Sequence, residues 1–294
     1  MNNFNNKTSK MKKSLLFLCL FTVYINICSQ ENGKVILLIR GDDIGSSHTA
    51  NVACIESYRN GIMKSVELMV PGPWFAEAVK LLNENPGLDV GVHLVITSEW
   101  NNIKWRPLTC CPSLTDKDGY FYPFIWQRED YPEGTALKNA SWKINEIEAE
   151  FRAQIEMAKR YVPHISHLNC HMDCGNCAPE IAVLTQKLAE EYDLDIDTHR
   201  LGYKSISLWD EQDSTADQRI NSAVRIIKNL NPGKYLFIEH PWFDTPEMRA
   251  IWHRGYENVA ADRDAVTKVF TSQQVKDAVI SARITLVSYR DAAK

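Results

Sequence analysis

Apolar residues along this chain alternate between short β-branched runs and longer stretches with helical spacing. Residues 34–39 (KVILLI) are a continuous apolar run bounded by glycine, which predicts a buried strand. A helix follows over 49–60 and stops at Gly61. The next strand is expected over 65–70, closed by Pro71-Gly72-Pro73, then a helix over 75–83 and a third strand over 88–95. Further strands are read at 165–170, 194–198, 235–239 and 284–287, with helices at 145–160, 179–191, 217–230 and 272–281. Between 97 and about 135 the rhythm breaks. Trp100, Trp105, Tyr120, Phe121, Tyr122, Phe124 and Trp126 stand there among Pro, Asp and Gly without a period. Loops of that length in compact domains usually carry function.

Strand and helix repeated about seven times imply a parallel sheet covered by helices. At this length a closed or nearly closed (β/α) barrel is expected over an open doubly wound sheet. The open sheet would want a Gly-rich phosphate turn after the first strand, and Asp42-Asp43-Ile44-Gly45 is not one. No repeat, linker or shift of composition divides the chain, so residues 30–294 are read as one domain.

Composition changes the picture at the N-terminus. Lys7, Lys10, Lys12 and Lys13 precede an apolar run from 15 to 27, and Cys28-Ser29 ends it. That order reads as a secretory signal over residues 1–29, removed from an exported, periplasmic or secreted, product. The run is short for a membrane span, so no stable span is expected once it is gone. Lipid attachment at Cys28 is the weaker alternative, because Ile27 is bulkier than such sites usually accept. The chain holds 33 Lys+Arg against 37 Asp+Glu, and the four lysines leave with the signal, so nucleic acid is a poor partner. Six cysteines remain: Cys54, Cys110, Cys111, Cys170, Cys174 and Cys177. In an oxidising compartment a disulfide made by the 170–177 cysteines, internally or with Cys110 or Cys111, is the leading expectation, ahead of free thiols and of a separate structural zinc.

Candidate chemistry gathers at the C-terminal ends of the expected strands, which share one face of a parallel barrel. The first ends in Arg40-Gly41-Asp42-Asp43, the third in Gly91-Val92-His93, the next in His167-Leu168-Asn169-Cys170-His171. Later ones end in Asp197-Thr198-His199 and Glu239-His240-Pro241-Trp242. A carboxylate and two imidazoles suit a divalent metal with positions left open. The second carboxylate of the Asp-Asp pair then points elsewhere, where it can take a proton from an activated water.

These motifs, in this order, resemble the YdjC-like carbohydrate deacetylases. The resemblance rests on Asp42-Asp43-Ile44-Gly45, on Gly61-Ile62-Met63-Lys64-Ser65, on Gly91-Val92-His93-Leu94, on His167-Leu168-Asn169-Cys170-His171 and on His240-Pro241. It implies a distorted (β/α) barrel of mostly parallel strands, and one divalent ion, Mg²⁺ or Zn²⁺, held by Asp43, His93 and His171. It also implies Asp42 as general base and His240 as general acid or orienting residue. The implied activity is hydrolysis of an amide C–N bond, removing N-acetyl groups from amino-sugar oligosaccharides of the chitin type. Hydrolysis of another ester or glycosidic link, or sugar binding without catalysis, are the alternatives. Asn169 stands where the family carries Asp, and Met172–Cys177 replaces a His-rich continuation. Arg40, Trp105, His199, Arg200 and Trp242 are read as substrate contacts. The aromatic loop either stacks on sugar rings or forms a small satellite core. A homodimer is left open.

Overall fold

A computed structural model describes residues 33–294. The expected signal, residues 1–29, and Cys28 within it lie outside the described residues. Among the described residues, no helix is long and apolar enough to cross a membrane.

Seven parallel strands form one sheet: β1 (Val35–Ile44), β2 (Ser65–Leu68), β3 (Asp89–Leu94), β4 (Ile165–Cys170), β5 (Lys204–Ser205), β6 (Gly233–Glu239) and β7 (Thr285–Val287). Their order is β4-β3-β2-β1-β6-β5. Strand β6 runs along one edge of β1 from Val35 to Gly41. The other edge is shared: β7 pairs with Ile36–Leu38 and β2 takes over from Arg40. The sheet is a half-barrel, a distorted α/β barrel of one domain, and the described strands do not close it by a β4–β5 pairing.

The middle of β1 explains the arrangement. Leu37, Leu38 and Ile39 are fully buried on both faces of the strand, as expected for a parallel sheet flanked by helices. Each side chain so buried contributes about 1.5–3 kcal/mol. The helices are α1 (His48–Arg59), α2 (Phe75–Asn83), α3 (Ile144–Tyr161), α4 (Pro179–Glu191), α5 (Ala216–Lys228), α6 (Pro246–Arg249), α7 (Val259–Thr271), α8 (Gln273–Ser281) and α9 (Tyr289–Ala292). Local signals start several of them: Ser47 caps α1 by accepting from the Ala50 amide, and Thr215 with Gln218 forms a capping box on α5.

Two expectations are corrected. Residues 194–198 form no strand; alternation in Leu-Asp-Ile-Asp-Thr mimics one, but Asp197 caps a turn by accepting from the amides of His199 and Arg200. The strand that pairs with β6 comes later, at 204–205. Helix α7 was not expected, and it proves central to the site.

Candidate active site

The end of β1 carries the first two acids, and the backbone there departs from a regular strand. Consecutive strand residues point to opposite faces, yet Asp43 has φ 72° in the left-handed region. Asp tolerates that conformation better than most residues. The turn brings both carboxylates of the pair to one imidazole: Nε2 of His93 lies 3.9 Å from Oδ2 of Asp42 and 3.5 Å from Oδ1 of Asp43. Gly45 closes the turn at φ 103°, where a side chain would also strike the Met69 carbonyl.

His93 arrives from β3 and His171 from the turn that ends β4. Nδ1 of His171 lies 3.3 Å from the same Oδ1 of Asp43. Among the described residues, Asp43, His93 and His171 are the one group of acid, Cys and His side chains whose ligand atoms all lie within 4.8 Å of one another. Oδ1 of Asp43 is buried with no hydrogen-bond partner among the described residues. An orphaned carboxylate oxygen facing two imidazole nitrogens fits a divalent cation.

Partners behind His171 and Asp43 fix their orientation, whereas Nδ1 of His93 is buried with no hydrogen-bond partner among the described residues. Nε2 of His171 faces Oε2 of Glu99 at 3.0 Å, which leaves Nδ1 toward Asp43. Burial opposes protonation of His171, but Glu99 and Asp43 outweigh it and push its imidazole up to about 10. A cation arriving there must displace that proton. Arg263 of α7 donates to Oδ2 of Asp43 at 2.9 Å, and its guanidinium lies over the rings of Trp242 (4.5 Å) and Trp100 (5.1 Å). Burial opposes ionisation of Asp43, but His240, His171 and His93 hold its carboxyl well below the usual range.

Asp42 has a different partner. Arg40 donates from Nε and Nη2 to its two oxygens at 2.7 and 2.8 Å. Burial opposes ionisation here too, and Arg40, His93 and His240 outweigh it, so Asp42 stays charged. His240, a third exposed, holds Nε2 3.9 Å from Oδ2 of Asp43. Asp42, His93, His171 and His240 open onto a cavity of about 710 Å³ that continues between α4 and residues 194–200, with Asp43 buried beneath them.

The expected substrate contacts fare unevenly. His199 and Arg200 line the outer cavity, with Arg200 paired to Asp197 at 2.9 Å. Arg40 lines the cavity as well, but its guanidinium is committed to Asp42 and to the Tyr289 hydroxyl. Trp105 and Trp242 are corrected: both are buried and pack behind the site, Trp105 edge-on to His171 and Trp242 under Arg263. The aromatic loop folds inward as core, with Trp100, Phe121 and Phe124 buried and Trp126 exposed. The disulfide expected of the 170–177 cysteines is absent; all six described cysteines are free, and burial pushes the Cys177 thiol up to about 11. Asn169 donates to Glu67 at 3.0 Å rather than to a ligand of the triad. Glu67, Glu99, Arg263 and Tyr289 were not foreseen. Only Glu67 left a signal, as an acid inside an otherwise buried strand.

Comparison with known proteins agrees with this geometry. The family described as YdjC-like protein matches residues 36–281. A carbohydrate deacetylase of Listeria monocytogenes serotype 4b (strain CLIP80459) is 29% identical over 266 residues, covering 87% of this chain and 99% of the relative. A chitooligosaccharide deacetylase of Yersinia pestis (strain Pestoides F) is 31% identical over 176 residues, covering 59% of this chain and 64% of the relative. The crystal structure of a putative cellobiose-phosphate cleavage protein from Enterococcus faecalis V583 shares the fold, with TM-score 0.67 and 22% identity, covering 87% of this chain and 98% of that one. The matched stretch spans Asp42, Asp43, His93 and His171, and the chain belongs to the YdjC-like protein family.

Proposed function

We propose that this chain is a metal-dependent carbohydrate deacetylase that removes N-acetyl groups from amino-sugar oligosaccharides. One observation supports the reading: Asp43, His93 and His171 bring possible ligand atoms within 4.8 Å of one another, and a second ionised carboxylate, Asp42, stands 3.9 Å from the same His93. A binding barrel has no use for that second acid. The names of the Listeria and Yersinia relatives point to carbohydrate amides as the substrate class.

Asp43, His93 and His171 would hold a divalent ion, Mg²⁺ or Zn²⁺, which would supply Lewis acidity toward the acetamide carbonyl and make water easier to deprotonate. Asp42 accepts the proton of the attacking water, whose oxygen bonds to the carbonyl carbon. Arg40 keeps both Asp42 oxygens in place during that transfer. The C–N bond then breaks, acetate leaves, and His240 gives a proton to the departing sugar amine. Its position beside Asp43 with a third of its surface open to the cavity supports that role. His199 and Arg200 contact the sugar along the outer wall.

Acetate and free amine should appear in equal amounts when zinc- or magnesium-loaded protein meets a panel of N-acetylated oligosaccharides. Release of an ester acid or cleavage of the glycosidic link, with the acetamides intact, would replace this reading with another hydrolase. Export belongs to the same proposal. Intact mass from the native host should show a chain beginning near Gln30, and a cellular product that retains Met1 would refute it.

A further inference from the structure

Behind Asp42 lies a buried polar layer that touches no reacting atom. Glu67 of β2 and His167 of β4 are fully buried, and Tyr289 of α9 is 2% exposed. Nε2 of His167 meets Oε1 of Glu67 at 2.7 Å, and the Asn169 amide donates to the same oxygen at 3.0 Å. That oxygen is 3.7 Å from Nε of Arg40. The His167 ring lies flat on the Tyr289 ring, with centroids 3.8 Å apart and planes 8° from parallel. Nη1 of Arg40, the nitrogen left over from the clamp on Asp42, donates to the Tyr289 hydroxyl at 3.0 Å.

The last helix is itself pinned to the sheet beside this contact. The Tyr289 amide donates to the Ser65 hydroxyl at 3.2 Å, and the Arg290 amide to Asp89 at 3.0 Å. Stability alone is a weak reason for such a layer, because well-packed apolar residues often serve a buried site as well or better. Its effect on Arg40 is specific. A planar guanidinium bonded through two nitrogens to one carboxylate can still swing with it as a unit. A third bond, to a hydroxyl on a separate pinned element, stops that motion.

We propose that Tyr289 is a positioning residue for Asp42, acting through Arg40. Tyr289 lies outside the family-matched residues 36–281. The inference rests on the reading of Asp42 as the base. Holding a reacting group in its productive geometry governs rate steeply, and a shift of about 1 Å can cost about a hundredfold.

Tyr289→Phe keeps the ring on His167 and removes only the acceptor. In the metal-loaded full-length protein, kcat for acetate release should fall roughly tenfold, the scale of one hydrogen bond to a charged group. KM and metal content should stay at parent values, while the melting temperature should fall by a few degrees because Nη1 of buried Arg40 loses its acceptor. In an Arg40→Lys background the same change should cost less than about twofold, because its route to Asp42 is gone. Unchanged kcat, or an equal loss in both backgrounds, would overturn the proposal. A second measurement does not need activity: the ¹⁵N-bound Nε proton of Arg40, identified by its loss in Arg40→Lys, should exchange with solvent faster in Tyr289→Phe. An unchanged exchange rate overturns the positioning role. A parent protein that releases no acetate, with that exchange accelerated in the variant, removes the deacetylase reading and leaves the clamp.

Discussion

Arg263 donates to Asp43 at 2.9 Å, joining residues 220 positions apart in the chain, with both side chains buried. The bond occupies Oδ2 and leaves Oδ1 facing the two imidazoles. It also gives the buried Asp43 carboxylate a guanidinium partner beside the protonated His171 imidazole. Arg263→Met keeps an apolar side chain against Trp100 and Trp242 but removes that partner. Metal-free protein should lose about 3–5 kcal/mol, the usual cost of removing one partner of a buried pair. Zinc should restore more stability to the variant than it adds to the parent, since the ion brings charge to Asp43. Urea unfolding of chelated and zinc-loaded samples measures both. An equal loss in the two forms would mean that Arg263 acts by packing alone.

Glu99 acts on His171 from the side away from Asp43, at 3.0 Å. Glu99→Leu removes the group that fixes which ring nitrogen faces the triad. Metal affinity should drop about 10–100-fold, the range seen when partners of metal ligands are lost. Competition with a fluorescent chelator reads this directly. Full affinity in the variant would show that Asp43 and His93 orient the site unaided.

The two neighbouring acids should separate by function. Asp42→Asn keeps the shape, gives up one of the two bonds accepted from Arg40 and accepts no proton, so kcat should fall by about 10²–10⁴-fold with metal content preserved. Asp43→Asn should lower metal content first, as should His93→Ala or His171→Ala. Elemental analysis beside acetate release decides between them. An Asp42→Asn protein near the parent rate would move the base to another residue, with His240 the nearest choice.

Gly91 sits on β3 against the Glu67 carboxylate and the His167 ring, and a methyl group there would overlap both. Gly91→Ala should therefore destabilise the fold by about 1–3 kcal/mol, as overpacking does. The urea midpoint should shift down with an unchanged slope. A neutral result would mean that the Glu67–His167 layer can move, against the tight contact of 2.7 Å between them.

Much of this protein could be read from local order in the chain. The KVILLI run made a central strand because five consecutive apolar residues, Val35 to Ile39, can be buried on both faces only inside a covered sheet. Parallel strands put their C-terminal ends on one side, so the polar endings could be grouped from the sequence, and the family resemblance picked out Asp42, Asp43, His93, His171 and His240 among them. Tertiary structure decided the rest. The left-handed turn at Asp43 brought two neighbouring acids to one imidazole, against the alternation of a strand. Trp105 and Trp242 read as sugar contacts, yet they pack behind the ligands, because an aromatic side chain in a loop carries no local mark of which way it faces. Residues 194–198 alternated like a strand, and side-chain capping by Asp197 made them a turn instead. Arg263, Glu99 and Tyr289 had no local signature at all, since each acts through a partner 72 to 249 positions away. Periodicity reports which face of an element is buried; only the packed chain sets which charged group meets which, because such pairing depends on distances across elements that no sequence spacing encodes.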